Sequence, residues 1–218
     1  MMPSLDIEYL ASLTADVSIP PATLVDLLAD LESAAYSSPI NTSTTETLSN
    51  FYSVYIFALF LCDDLNEARF LSKRIPTSYL QSDPLLISTY TLLRALYTRT
   101  YPAIYTTLSS APWSSTVTPL ATRFLEHFRR KTFILLSRAY TTISPKAAAN
   151  YLGLVDGEEA TMILMAVAEG WEFDETAGIL RPVLVDDDAD LEDLDVVVDG
   201  KDGRIARLTG LVTHLTEI

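Results

Sequence analysis

The chain has 218 residues, 49% of them hydrophobic and 20% charged, with a formal net charge of −14 and a mean hydropathy of +0.22. That composition supports a sizeable core and excludes wholesale disorder, and its acidity disfavours any partner that presents a phosphate backbone. One cysteine, Cys62, excludes a scaffold stapled by internal disulfides.

The first ten residues, MMPSLDIEYL, hold neither a basic stretch nor a long apolar one, so no signal peptide is expected. Residues 5–13 predict a short helix, and Pro20-Pro21 opens a stronger one with Leu24, Leu27, Leu28, Leu31 and Ala35 at helical spacing. Residues 37–45, SSPINTSTT, read as a polar loop from which Thr44 or Thr45 can cap the next helix. That helix contains the longest apolar run, FYSVYIFALFLC, whose 12 residues are too few to span a bilayer. A location in cytoplasm or nucleus, with no membrane partner, is the expectation.

Asp63-Asp64 breaks this helix and caps another over residues 65–74. Asp83-Pro84 starts the next, with Leu86, Tyr90, Leu93 and Tyr97 expected on one face. A short helix after Pro102 carries Ile104, Tyr105 and Leu108 and turns at Ala111-Pro112-Trp113. A long helix then begins with Thr118 as cap and Pro119 in its first turn. Phe124, Phe128, Leu135 and Ala139 mark its expected stripe, flanked by Val117, Ala121 and Leu125. At roughly 25 residues it would span about 35 Å and serve as a spine between two packed modules.

All seven glycines lie at or after Gly153, whereas ten of the eleven prolines lie at or before Pro145. A first part of helices started and linked by proline is therefore expected to give way, near Ile143, to a smaller domain with tight turns. Ser144-Pro145 opens one short helix. Asp156 caps a second, over 157–169, that contains Met162, Ile163, Met165, Ala166 and Val167 and ends at Gly170. After Trp171-Glu172-Phe173 and a turn, residues 178–185 read as a strand that Pro182 demotes to an edge.

Two helices followed by a hairpin have the order of a winged helix. Residues 186–202 hold nine acids and one lysine and read as a solvated acidic loop, and 204–218 as an amphipathic C-terminal helix. The expected fold class is mainly α: a helical-hairpin array over 1–142, a winged-helix subdomain over 143–185, the acidic loop over 186–203 and the C-terminal helix over 204–218.

Parts for catalysis are missing. The two histidines, His127 and His214, lie in different modules, and neither has a histidine or cysteine at ligand spacing. No phosphate-cradling glycine motif occurs. Residues from Asp186 onward put Leu191 and Val197 where a calcium loop requires glycine and glutamate. Cys62, within an apolar helix, reads as a small buried hydrophobe. No catalytic residue, cofactor, metal or small-molecule substrate is expected. Arg123, Arg129, Arg130, Lys131 and Arg138 form one basic patch. It reads as the exposed face of the long helix, against sharper readings as a dock for an acidic partner or nucleic acid. Residues 157–169 contain no lysine or arginine, so no basic recognition helix supports the nucleic-acid reading.

Six blocks follow one another in order: Leu61-Cys62-Asp63-Asp64-Leu65-Asn66-Glu67-Ala68-Arg69-Phe70-Leu71-Ser72-Lys73-Arg74-Ile75-Pro76, Tyr101-Pro102-Ala103-Ile104-Tyr105-Thr106-Thr107, Trp113-Ser114, Thr116-Val117, Arg129-Arg130-Lys131 and Ser137-Arg138-Ala139-Tyr140-Thr141. Together they resemble the family of the eighth subunit of the COP-nine signalosome over about residues 58–142, with an echo at Ala206-Arg207-Leu208-Thr209. Ser72 departs from the family's common tryptophan, and the acidic run 186–202 differs from the proline-containing loop of animal members.

The resemblance implies a PCI domain, helical hairpins leading into a winged helix, and a non-catalytic scaffold role in the complex that removes Nedd8 from cullins. The zinc isopeptidase of that complex is another subunit. A proteasome-lid subunit and the small helical subunit of translation initiation factor three share the architecture and are the alternative identities. Partner contacts are expected along the strand edge at Ile179, Leu180, Val183 and Val185. A second set is expected on the C-terminal helix at Leu208, Leu211, Val212 and Leu215.

Overall fold

Residues 51–61 lie in a helix and are buried on all sides, and the other helices gather around them. In the computed structural model, which describes residues 6–37, 45–154 and 158–183, this helix is α3 (Thr45–Leu61). Every residue from 51 to 61 is buried, as expected for a helix that is apolar all round and enclosed by other helices. Before it come α1 (Ile7–Ala15) and α2 (Pro21–Ser37). After it come α4 (Leu65–Arg74), the short α5 (Thr77–Ser82), α6 (Pro84–Tyr97), α7 (Tyr101–Ser110) and α8 (Thr118–Ala139). Helices α1, α2, α4, α6 and α8 all pack on α3, while short links fold α3 back on α4 and α6 back on α7 as helical hairpins. At its centre Phe57 meets Phe60, Trp113 and Phe124 edge-on, at centroid distances of 5.5, 5.2 and 6.1 Å.

Caps set the element boundaries. The Asp64 carboxylate accepts from the Glu67 N–H at 2.9 Å, and Asp83 accepts from Leu85 and Leu86 at 2.9 and 3.1 Å. Helix α5, between Pro76 and Asp83, has no counterpart in the sequence reading. Thr118 is the first residue of α8 rather than its cap; the cap position is Val117, without a side-chain bond.

Two predicted faces are rotated. On α6 Leu86 and Leu93 are buried as expected, together with Leu85, Thr89, Leu92, Ala95 and Leu96, whereas Tyr90 and Tyr97 face water. Thr89 occupies the core because its hydroxyl donates to the Leu85 carbonyl at 2.9 Å and meets Ser53 Oγ at 3.3 Å. Leu120, Phe124, Phe128, Thr132 and Leu136 form the inner row of α8, at a constant spacing of four residues. Leu135 and Ala139 are exposed.

Beyond α8, Ser144 caps α9 (Pro145–Leu152) by accepting from the Ala147 N–H at 3.3 Å. Gly153 ends it at φ +71°. Then follow α10 (Glu159–Ala168), β1 (Glu172–Asp174) and β2 (Ile179–Arg181). The predicted cap Asp156 lies outside the described residues. Leu136, Ile143, Ala148, Ala149, Leu152, Met162, Ala166, Trp171 and Leu180 enclose a second, smaller core. Helix α8 feeds both cores, with Leu120 and Phe124 in the first and Leu136 in the second. Its 22 residues extend about 33 Å. All the described residues nevertheless belong to one compact unit.

The α3–α4 link carries a charge cluster. Asp63 sits at φ +57°, a region aspartate tolerates better than most residues, and takes Lys131 Nζ at 2.6 Å with His127 Nε2 at 3.7 Å. Burial alone would push its carboxyl up, but His127 and Lys131 together outweigh that and hold it below the ordinary range. A depressed folded value contributes stability that is present above the unfolded value and lost as pH falls through the folded one. Asp63→Asn is therefore expected to lower the urea midpoint at pH 7, with the difference from wild type shrinking below about pH 4. A variant whose deficit is the same at both pH values would contradict this.

Candidate functional site

Ile143, β2 and β1 lie side by side as a miniature sheet. Phe173 opposes Leu180 in the antiparallel β1–β2 pair, and on the other side Leu180 exchanges both backbone bonds with Ile143, at 2.9 and 2.8 Å. This pairing on both sides corrects the expected edge: β2 is the central strand. Pro182 follows the strand rather than lying within it, because the pairing ends at Arg181 before a missing N–H would matter. Among the described residues nothing pairs with the other side of β1, which forms the open edge. Phe173 and Leu180 form a non-hydrogen-bonded pair, which turns the Phe173 N–H and C=O outward. The hairpin turn is held by Asp174 Oδ1, which accepts from the Thr176 hydroxyl at 2.6 Å and the Thr176 and Ala177 N–H groups at 3.1 and 3.2 Å.

The residues expected at an interface are therefore divided. Leu180 has 0% exposure and belongs to the core; its side chain is spent on folding. Ile179 is half-buried and Val183 exposed. Val185, Leu208, Leu211, Val212 and Leu215 lie outside the described residues, as does the acidic run 186–202.

Sequence reasoning missed the outer face of α10. Only Met162 and Ala166 are buried there, while Leu164 is 72% exposed and Met165 and Val167 are exposed beside it. The signal was present in the unbroken apolar run Met162-Ile163-Leu164-Met165-Ala166-Val167, since one helix face cannot bury a run that circles the whole helix.

The small module is fixed to the helices by an aromatic joint. Tyr105 donates its hydroxyl to the Tyr151 carbonyl at 3.0 Å, and burial pushes that hydroxyl up to about 12. Tyr101 meets Tyr151 edge-on at 5.1 Å and tilts over Phe128 at 5.9 Å. The family-like blocks at 101–105 and 129–131 thus serve the fold.

The same is true of much of the expected basic patch. Arg129 lies 5.6 Å over the Tyr105 ring, Arg123 donates to the Ile19 carbonyl at 3.2 Å, and Lys131 pairs with Asp63. Reading the patch as one free face is corrected, because these cations point at different neighbours around the helix. Arg130 also has a partner.

Cys62 is half-buried, and burial followed by Asp63, Asp64 and Asp26 pushes its thiol up to about 11, far from a reactive thiolate at neutral pH. Among the described residues no group of three or more His, Cys, Asp or Glu is placed to hold a metal ion, and no helix is long and apolar enough to cross a membrane. What the arrangement offers is an open strand edge and an adjoining apolar helix face, which recognise other polypeptides through backbone pairing and apolar burial.

Residues 46–185 match the CSN8/PSMD8/EIF3K family. The chain is similar to a protein of Emericella nidulans named COP9 signalosome complex subunit 8, 32% identical over 182 residues, covering 83% of this chain and 85% of the relative. Proteins of the same name from Dictyostelium discoideum and Danio rerio are 32% and 28% identical, over 66% and 72% of this chain and 71% and 78% of theirs.

Proposed function

The chain belongs to the CSN8/PSMD8/EIF3K family, and from that membership we propose that it is a non-catalytic scaffold subunit of a COP9 signalosome. In that role it serves a complex that removes Nedd8 from cullins and so regulates cullin-RING ubiquitin ligases. The observation that carries the reading is the shared name of the similar proteins in three organisms, which favours the signalosome over the proteasome-lid and initiation-factor branches. Cytoplasm and nucleus go with it as location. No cofactor, small-molecule substrate, membrane or nucleic-acid partner belongs to this reading.

The partners are other subunits of the complex. Docking uses the open edge of β1 and the face of Leu164, Met165 and Val167, supported by the outward backbone groups of Phe173 and by the exposure of those three side chains. Residues 204–218 supply a second dock, supported by the spacing of Leu208, Leu211, Val212 and Leu215. Residues 1–142 form the helical array and 143–185 the winged helix.

The test replaces exposed side chains only. The double variant Leu164→Glu and Val167→Glu is expected to keep the wild-type melting temperature and to lose co-purification of the other signalosome subunits from its own cells. Full recovery of those subunits with the double variant rules out this face. Recovery of proteasome-lid or initiation-factor subunits with wild type replaces the signalosome reading.

A further inference from the structure

Helices α4 and α6 leave a groove between them, lined in part by Leu93 of the first core. Arg69, Ser72, Lys73, Tyr90, Arg94 and Tyr97 line it around a cavity of about 260 Å³. Such a volume is below that of a typical small-molecule pocket and suits one large side chain. Its floor includes Ser72, whose hydroxyl is turned back to the Arg69 carbonyl at 2.8 Å. The walls are aromatic: Tyr90 and Tyr97 are both exposed. Arg69 stands 5.3 Å over the Tyr97 ring and donates to its hydroxyl at 3.3 Å, which braces one wall.

The charge of the groove runs against that of the chain. With 29 acids against 15 lysines and arginines, cations are scarce, yet three of them meet here. Among the described residues none of the three has a carboxylate within ion-pair distance, whereas Arg74, Lys131 and Arg181 do. Three exposed cations around an aromatic-walled slot are complementary to carboxylates flanking one apolar side chain. The overall charge of −14 opposes a nucleic-acid occupant, which would bring a phosphate at every nucleotide.

We propose that the α4–α6 groove is a docking site for an acidic segment of a partner protein, one aromatic or large apolar side chain entering the cavity while flanking carboxylates pair with Arg69, Lys73 and Arg94. This site is separate from the β1 edge and the α10 face, so either can fail alone.

The probe is a fluorescein-labelled peptide of about twelve residues, with glutamate and aspartate around one central phenylalanine, titrated with the full chain by anisotropy. Saturable binding that weakens with added salt is expected. The surface double variant Lys73→Glu and Arg94→Glu should weaken it at least about tenfold. Ser72→Trp, which fills the cavity from its floor, should abolish it, with the melting temperature of each variant recorded alongside. No binding by wild type, unchanged binding by the Lys73→Glu and Arg94→Glu variant, equal binding of a peptide with alanine for the phenylalanine, or equal competition by single-stranded DNA would each overturn the proposal.

Discussion

Trp171→Ala is expected to destabilise the protein by about 4 kcal/mol, the largest loss from any single substitution considered. The indole is 2% exposed, lies almost parallel to Phe133 at 4.5 Å and donates from Nε1 to Ser137 Oγ at 3.1 Å. Its backbone N–H closes the end of α10 on the Ala166 carbonyl at 2.8 Å, and β1 begins at the next residue. Removing the ring leaves a cavity between α8 and the small module and takes away the donor to Ser137 Oγ, whose own hydroxyl still bonds the Phe133 carbonyl at 3.1 Å. Trp171→Phe keeps most of the apolar contact and should cost less than half as much. Urea titration followed by circular dichroism measures both, and a Trp171→Ala loss below about 1 kcal/mol would show that the small module is not anchored through this ring. Because β1 hangs from Trp171, the alanine variant should also fail to recover partner subunits, even at temperatures where its helical array stays folded.

Gly153→Ala is expected to cost about 3 kcal/mol, for two separable reasons. Gly153 closes α9 at φ +71°, where a Cβ costs roughly 1–2 kcal/mol. A Cβ there would also lie too close to the Tyr105 ring, against its Cγ, Cδ1 and Cδ2, and shifting a buried ring typically costs about 1–3 kcal/mol. Gly178 separates the two contributions. It has φ +63° with nothing near its absent Cβ, so Gly178→Ala should show only the smaller, backbone part. Equal losses at the two glycines would mean that Tyr105 yields freely and that the joint at Tyr105, Tyr151 and Gly153 is loose. A loss of about 3 kcal/mol should lower the melting temperature by roughly 10 °C in a protein of this size.

Much of this design was legible because it depends on local chemistry. Asp64, Asp83 and Ser144 cap helices where a short carboxylate or hydroxyl precedes an apolar run, and Gly153 and Gly170 end helices where the chain needs φ above zero. The mainly helical fold and the change of texture after Ile143 follow from the same signals. Family membership was legible in blocks such as Tyr101-Pro102-Ala103-Ile104-Tyr105, although the structure assigns those side chains to a joint rather than to a surface.

The candidate site was legible only in part, because which side of an element faces water is a property of its neighbours. Apolar spacing alone pointed Tyr90, Tyr97 and Leu135 inward. Thr89, Thr132 and Ser137 took core places instead, Thr89 and Ser137 by bonding to carbonyls four residues back at 2.9 and 3.1 Å. Leu180 could not be known as a central-strand residue until Ile143, 37 positions earlier, paired with it. Local sequence therefore determined where helices start, stop and cap, since those choices are settled within a few residues. Tertiary packing alone decided which faces stayed free: strand order, the outward turn of Leu164 and the groove around Arg94 each depend on atoms brought together from distant parts of the chain.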